Sequence, residues 1–173
     1  NIVNDYDAFQ NKELLDELRN KIIQNLIDHN LTGTNNNELI KDEINKTLAG
    51  YDLSNVERSY IYNLIDNEIN GYGPITDLLE DKSITEIMVN GPSEIYVEIE
   101  GQISRDDSVS FINEEHIIRT IQKIVQPLGR TIDTSNPMVD ARLEDGSRLN
   151  AVIPPLSLRG PVVTIRKFRQ DME

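Results

Sequence analysis

Arg142, Arg148 and Arg166 stand near the end of the sequence, in segments whose apolar residues alternate as they do in β-strands. The whole chain has 17 basic and 30 acidic side chains and a formal net charge of −13. In residues 127–173 the balance reverses to seven basic against six acidic, and six of the seven are arginines. The planar donor fork of arginine matches the oxygens of a phosphate. The sequence therefore indicates a local anion site. The six arginines are Arg130, Arg142, Arg148, Arg159, Arg166 and Arg169.

Residues 139–153 predict a β-hairpin whose loop is Glu144-Asp145-Gly146. Glycine at the third position of such a loop suits a turn that needs a positive φ there. The loop length pairs Leu143 with Ser147, Arg142 with Arg148 and Asp140 with Asn150. One face then carries only apolar side chains, so the two arginines lie opposite each other on the other face. The apolar residues are Val139, Ala141, Leu149 and Ala151.

Two explanations of this arginine pair stay open. Like charges directly opposed on a sheet destabilise it by up to about 1 kcal/mol unless a negative group lies beside them. Asp140 and other carboxylates would supply that charge in a surface ion-pair network, or a bound ligand would supply it. After Pro161 a last strand points Arg166 away from Val163 and Ile165, where it would complete an arginine cluster with the pair.

Composition excludes several classes of site and partner. The acidic bulk of the chain argues against nucleic acid as a general partner, because a phosphate backbone would be repelled. The absence of cysteine excludes disulfides and thiolate zinc, and two distant histidines predict no metal site. No apolar run reaches the roughly 18 residues of a membrane helix, and the first residues do not resemble a signal peptide. A cytoplasmic chain is expected, and its ends suggest a fragment of a longer protein.

The elements that must position the arginines fall into two predicted domains. Residues 1–70 show only helical periodicity and predict a three-helix bundle, with a polar break over residues 32–37 and a capping box from Ser54 to Glu57. Residues 71–169 predict the order helix, three strands, helix, three strands. That order indicates an α+β fold with helices on one side of a mainly antiparallel sheet.

The remaining polar residues favour structural rather than catalytic interpretations. His116 follows the predicted helix cap Asn113 and is expected to be solvated or to take part in capping. Asp106 and Asp107 are expected to be solvated loop residues. The acidic helical segment is interpreted as a solvated leader, with a docking role for partners as the alternative.

A series of motifs gives the second part of the chain a family resemblance. Residues 71–169 closely resemble the N-terminal domain of the CpaF-type pilus-assembly (tight-adherence) ATPases of the type II and type IV secretion superfamily, and the helical segment resembles the variable leader of that family. The motifs are Gly71-Tyr72-Gly73-Pro74-Ile75, Ile84-Thr85-Glu86-Ile87-Met88-Val89-Asn90-Gly91-Pro92, Met138-Val139-Asp140-Ala141-Arg142-Leu143, Asp145-Gly146-Ser147-Arg148-Leu149-Asn150-Ala151, Ile153-Pro154-Pro155-Leu156 and Ile165-Arg166-Lys167-Phe168.

The resemblance implies a function for the arginines in a larger protein. It implies a PAS-like N-terminal domain tethered to a RecA-like motor domain, in a homo-hexamer that binds ATP and Mg²⁺ between the domains. Arg148 and Arg166, with Arg142 as a third candidate, would contact the ATP phosphates and transmit domain motion. The implied location is cytoplasmic, peripheral to the inner membrane and next to a pilus or secretion platform protein.

The sequence departs from the complete family pattern in one respect. No Gly-x-x-x-x-Gly-Lys-Ser/Thr loop occurs in it, so the phosphate cradle and the magnesium ligand of that loop are missing. This fragment alone is expected to be inactive and to bind no cofactor, or nucleotide only weakly. The alternative is a stand-alone PAS-like sensory or protein-interaction module. A phosphate-binding loop within about 50 residues beyond Glu173 would decide between the two.

Overall fold

A computed structural model describes residues 11–32 and 36–168 of the chain. The division between its two compact units follows Gly73. We call residues 11–73 the helical unit and residues 74–168 the α+β unit, within those described ranges. Part of the predicted polar break, Gly33 to Asn35, and the sixth arginine of the basic region, Arg169, lie outside the described residues.

The helical unit contains three α-helices, α1 (Lys12–Asp28), α2 (Asn37–Leu48) and α3 (Asn55–Asn70), and α1 packs against both others. The helical periodicity of the sequence places Leu39 and Val56 on the apolar stripes of α2 and α3, but they are 52% and 55% exposed. Both stand in the first turn of a helix. The buried stripe residues include Leu15, Leu18, Ile22, Leu26, Ile40, Ile44, Leu48, Tyr60, Ile61, Ile65 and Ile69.

Helix α3 begins with the predicted capping box. The Glu57 N–H donates to Ser54 Oγ at 3.1 Å, and the Ser54 N–H donates to Glu57 Oε1 at 2.9 Å. Each side chain therefore satisfies an amide that the first helical turn leaves without a partner. Gly71 follows the last residue of the helix.

The α+β unit has the predicted order of elements, and its fold class is confirmed. Its six strands form one antiparallel sheet in the order β3-β2-β1-β6-β5-β4. The elements are α4 (Thr76–Glu80), β1 (Ile84–Gly91), β2 (Glu94–Ile99), β3 (Gln102–Arg105), α5 (Glu114–Val125), β4 (Met138–Arg142), β5 (Arg148–Val152) and β6 (Val162–Arg166).

One face of the sheet is buried and the other is exposed. The buried face shares a single hydrophobic core with the apolar side of α5 and with Leu78 of α4. Because successive side chains of a strand point to opposite faces, the polar residues between these core positions point away from the helices. The core residues of the sheet and of α5 include Ile87, Val89, Ile95, Val97, Val139, Ala141, Leu149, Ala151, Val163, Ile165, Ile117, Ile121, Ile124 and Val125.

Four Asp-x-Ser turns bound the strands of this unit. In each one the aspartate Oδ1 accepts the backbone N–H of the serine at 2.8–3.0 Å, so the side chain closes the turn locally. Asp106 therefore closes a turn and is partly exposed, whereas the neighbouring Asp107 is exposed and pairs with Arg105 at 2.7 Å. The four pairs are Asp81/Ser83, Asp106/Ser108, Asp133/Ser135 and Asp145/Ser147.

His116 differs from the prediction because its side chain is fully buried. Its Nδ1 accepts the Ile112 N–H at 3.1 Å, and the ring of Phe111 meets the imidazole edge-on at 5.1 Å between centroids. Solvation of His116 was therefore the wrong expectation, because Phe111 covers the ring. The predicted helix cap is present, since Asn113 Oδ1 accepts the His116 N–H at 2.9 Å.

Candidate anion-binding site

The hairpin formed by β4 and β5 has the predicted register. Arg142 lies opposite Arg148 and Asp140 opposite Asn150. The turn is closed by the Leu143 N–H, which donates to the Ser147 carbonyl at 2.8 Å, and Gly146 has a φ of +88°. All members of the two opposed polar pairs are exposed, and the alternate side chains are buried. The length of the loop and the alternation of residues along β4 and β5 therefore place Arg142 and Arg148 on the solvent-exposed face.

Strand β6 adds the third arginine to the same line. Arg166 lies directly opposite Arg148 on the other side of β5. We call Arg142, Arg148 and Arg166 the arginine row. Neighbouring strands are about 4.8 Å apart, so the row extends about 10 Å across the sheet. The cluster that the sequence suggested is thus present on the exposed face, with Ile165 and Leu149 of the same strands in the core.

Two carboxylates continue this line across the sheet. Glu86 of β1 lies opposite Arg166, and Glu98 of β2 lies opposite Glu86. We call Glu86 and Glu98 the carboxylate pair. The Nε of Arg166 is 3.9 Å from Glu86 Oε1, and the side chains are 77% and 16% exposed respectively. An ion pair with so long a separation and so exposed an arginine contributes between 0 and about 1 kcal/mol to the free energy of unfolding.

The other two arginines have a different environment. Across residues 11–32 and 36–168, the side chains of Arg142 and Arg148 form no ion pair and donate no hydrogen bond. Asp140, predicted as a possible neutralising partner, does not pair with either of them there. Among the described residues, ion pairs therefore account for Arg166 in part and do not account for Arg142 or Arg148.

Lys167 connects the end of β6 to the loop before β1. Its backbone N–H donates to the Thr85 carbonyl at 2.9 Å, and its Nζ donates to the Asp81 carbonyl at 2.6 Å. Burial lowers the pKa of Lys167, against the opposing effect of Asp81 and Asp145. An open depression of about 260 Å³ lies beside it, lined by Thr85, Glu86, Glu98, Arg166 and Lys167.

Phe168, in the segment after β6, contacts the turn between β4 and β5, which is a separate motif in the sequence. Its backbone N–H is 3.4 Å from Ser147 Oγ, and its ring lies over Gly146. A Cβ added to Gly146 would lie 3.0 Å from the Cγ of Phe168. The hairpin turn next to Arg148 and the segment after Arg166 are therefore in direct contact.

Comparisons with known proteins identify the family. The model of the family described as "Type II/IV secretion system protein" matches residues 68–172. The chain belongs to this family. The matched range includes the whole α+β unit and all three members of the arginine row. Family membership confirms the superfamily that the motifs suggested.

Individual relatives of this secretion-family chain come from several organisms. A protein of Mycobacterium tuberculosis (strain CDC 1551 / Oshkosh) whose name refers to conjugal transfer is 28% identical over 112 residues, which covers 61% of this chain and 32% of that protein. The type IV secretion system protein VirB11 of Brucella suis biovar 1 is 33% identical over 95 residues, covering 54% of this chain and 26% of VirB11. The chain thus spans about a third or less of the length of these relatives.

Solved structures that resemble this secretion-family chain include the crystal structure of the VirB11 ATPase from the Brucella suis type IV secretion system in complex with sulphate. The sequences are 29% identical, the TM-score is 0.47, and the match covers 56% of this chain and 30% of that one.

Sequence reasoning on this secretion-family member missed the carboxylate pair and Lys167. Their roles depend on the pairing of β1 with β6, which joins residues such as Asp81 and Lys167 that are 86 positions apart. The available signal was the motif around Glu86, which the family resemblance included without assigning a role to that residue.

Among the described residues, no helix is both long and apolar enough to cross a membrane.

Proposed function

We propose that this chain contributes the N-terminal, PAS-like domain of a secretion ATPase, and that its arginine row binds the phosphates of ATP. The observation that carries the proposal is the row itself. Three guanidinium groups share one exposed line of the sheet, in the part of the chain that matches the family, and two of them have no carboxylate partner in the described part of the chain.

The chemistry of the row fits phosphate oxygens. Each guanidinium offers up to five N–H donors, and charge-assisted bonds to phosphate form at about 2.7–2.9 Å. The like-charge repulsion between neighbouring arginines would fall when a negative group lies between them. ATP would supply a transferable phosphoryl group. The arginines would hold and orient its phosphates and neutralise the charge that develops on them, as an arginine finger does.

Magnesium binding is assigned to the motor domain in this proposal. In nucleotide sites Mg²⁺ is bound by one or two side chains together with the phosphates, and the family resemblance implies that its ligand lies in the phosphate-binding loop. In this proposal the chain forms a lid over the nucleotide, and its arginines contact the phosphates.

The larger assembly is part of the same proposal. We infer a RecA-like motor domain in the same protein, a homo-hexamer, and a cytoplasmic position peripheral to an inner-membrane pilus or secretion platform. The support is the resemblance to CpaF-type pilus-assembly ATPases and the family match. Loss of the phosphate contacts would release the arginines, and the resulting domain motion would drive assembly or secretion.

Charge reversal in the protein that includes the motor domain tests this function. We expect Arg148→Glu or Arg166→Glu to lower ATP turnover by about 10²- to 10³-fold, because a phosphate contact becomes a repulsion. Arg159→Glu is the matched control, since Arg159 is exposed and outside the row. Unchanged turnover and unchanged pilus or secretion output in both row variants would contradict the proposal. The gene beyond Glu173 should also encode the phosphate-binding loop, whereas a stand-alone module would lack it.

A further inference from the structure

Arg166 is the member of the arginine row that faces a carboxylate across a strand pair. Arg148 lies on its other side, so Arg166 has an arginine on one flank and Glu86 on the other. Glu86 attracts the Arg166 guanidinium and Arg148 repels it, unless an anion is bound along the row. The separation of 3.9 Å is about 1 Å longer than a charge-assisted hydrogen bond. The pair is therefore close enough to attract and too loose to lock the guanidinium.

Glu86 is much less exposed than the arginine it faces. Its side chain is 16% exposed, against 77% for Arg166. Glu98 lies opposite Glu86 on β2, and its Oε1 is 3.3 Å from Thr85 Oγ. Two opposed carboxylates repel each other, and a cation beside one of them relieves that repulsion. Arg166 is that cation in the row, so the carboxylate pair favours the position in which Arg166 approaches Glu86.

We propose that Glu86 is a competing counter-ion that holds Arg166 when no anion is bound and releases it when a phosphate is bound. This inference rests on the proposed function of the arginine row. Glu86 does not itself bind the phosphate, because it has the same sign of charge. It is a positioning residue whose charge lowers the affinity of the row for anions. Arg166 is the switching member, and Arg142 and Arg148 stay available in both states.

The test uses the 173-residue chain and inorganic tripolyphosphate as the probe. Binding is followed by NMR at constant ionic strength, through the backbone amides and the arginine Nε–Hε signals of the row. We expect Glu86→Gln, which is close in shape, to bind tripolyphosphate about 2- to 5-fold more tightly than the unchanged chain, the range that corresponds to an exposed ion pair. Glu86→Asp, which keeps the charge, should return the affinity toward the original value.

A double-mutant comparison makes the inference specific. The gain in affinity from Glu86→Gln should disappear when Arg166→Ala is already present, because the guanidinium for which Glu86 and the phosphate compete has been removed. Glu98→Gln is the matched control and should give a smaller gain, since Glu98 lies one strand further from Arg166. The amide spectrum of each variant reports whether it is folded.

The outcomes separate this inference from the function on which it rests. Binding that is weakened by Arg148→Ala but unchanged by Glu86→Gln would overturn the counter-ion role alone. A gain from Glu86→Gln that persists without Arg166 would overturn it as well. Absence of binding in every variant up to about 10 mM, or binding unaffected by Arg148→Ala, would overturn the arginine row as an anion site and the counter-ion with it.

Discussion

The exposed face of the sheet has two halves of opposite charge. On β4, β5 and β6 the line across the strands is Arg142, Arg148 and Arg166, and on β1 and β2 the same line continues as Glu86 and Glu98. Each half therefore places like charges directly opposite each other, an arrangement that destabilises a sheet by up to about 1 kcal/mol per pair.

The difference between the halves lies in what surrounds the charges. The carboxylate half is partly enclosed, with Glu86 at 16% exposure and a hydroxyl beside Glu98, and a lysine lies in the same depression. The arginine half is open, and within the described ranges two of its members have no partner. An open line of cations, two of which have no partner in the described part of the chain, is suited to an external anion, whereas a partly enclosed carboxylate pair is suited to holding a cation of its own protein.

The largest expected effect concerns a hairpin turn in each half of the sheet. Gly146 ends the turn between β4 and β5, and Gly101 lies in the turn between β2, the strand of Glu98, and β3, with φ of +88° and +78°. We expect Gly146→Ala to lower the free energy of unfolding by about 2–3 kcal/mol, because the positive φ and the close Phe168 ring both oppose a Cβ. Gly101→Ala should lower it by only about 1 kcal/mol, since the space there is open.

Urea denaturation of both glycine variants measures this difference. Phe168→Ala in combination with Gly146→Ala should recover part of the loss by removing the contact. Equal losses for the two glycine substitutions would show that the Phe168 contact does not constrain the turn of the arginine half.

The arginine half could be predicted largely from the sequence because the residues that determine its geometry lie close together along the chain. The loop length and Gly146 determined the register of Arg142 with Arg148, and alternation assigned their face. The place of Arg166 on that face also followed from alternation. The capping box of α3 and the Asn113 cap were predictable for the same reason, since each depends on residues three positions apart.

The carboxylate half could not be predicted because it depends on long-range pairing. The sequence does not say which of the other five strands lie beside β6, and only the pairing with β1 brings Glu86 to Arg166. Burial of His116 was missed for a similar reason. Its position in the first helical turn predicted a solvated or capping residue, but the ring of Phe111 lies against the imidazole. Tertiary packing decided both outcomes.

A smaller effect is expected from relief of the repulsion within the arginine half. Arg148 has an arginine on each side, so Arg148→Gln should raise the free energy of unfolding by about 0.5–1 kcal/mol at low salt. The gain should shrink in 1 M salt, where charges are screened over about 3 Å. Arg130→Gln, an exposed arginine outside the row, is the control and should change little. A loss of stability in Arg148→Gln would indicate that an internal partner neutralises this residue.

The smallest effect concerns the loop before β1 on the carboxylate side. Hydrogen bonds from Ser83, first from its hydroxyl and then from its backbone N–H, lower the pKa of Asp81 below the ordinary 3.8. A carboxyl whose pKa is lower in the folded state adds stability above its unfolded pKa, and that stability is lost as the pH falls through the folded value.

Ser83→Ala should therefore lower the free energy of unfolding by less than about 1 kcal/mol at pH 7, because the site is exposed, and the difference should shrink below about pH 4. Ser135→Ala is the matched control. In that turn the backbone N–H of Ser135 donates the hydrogen bond to Asp133, and alanine keeps this donor. Thermal unfolding across a pH series measures both. A Ser83→Ala difference that is constant down to pH 2 would show that Asp81 does not cause it.

The central claim is that the arginine row contacts the phosphates of ATP, and a crystal structure with a nonhydrolysable ATP analogue tests it most directly. The protein would include the motor domain. We predict guanidinium nitrogens of Arg148 and Arg166 within about 2.7–2.9 Å of phosphate oxygens, with Arg166 turned away from Glu86. A bound analogue whose phosphates lie more than about 6 Å from every member of the row, or whose phosphates are held by the motor domain alone, would contradict the account.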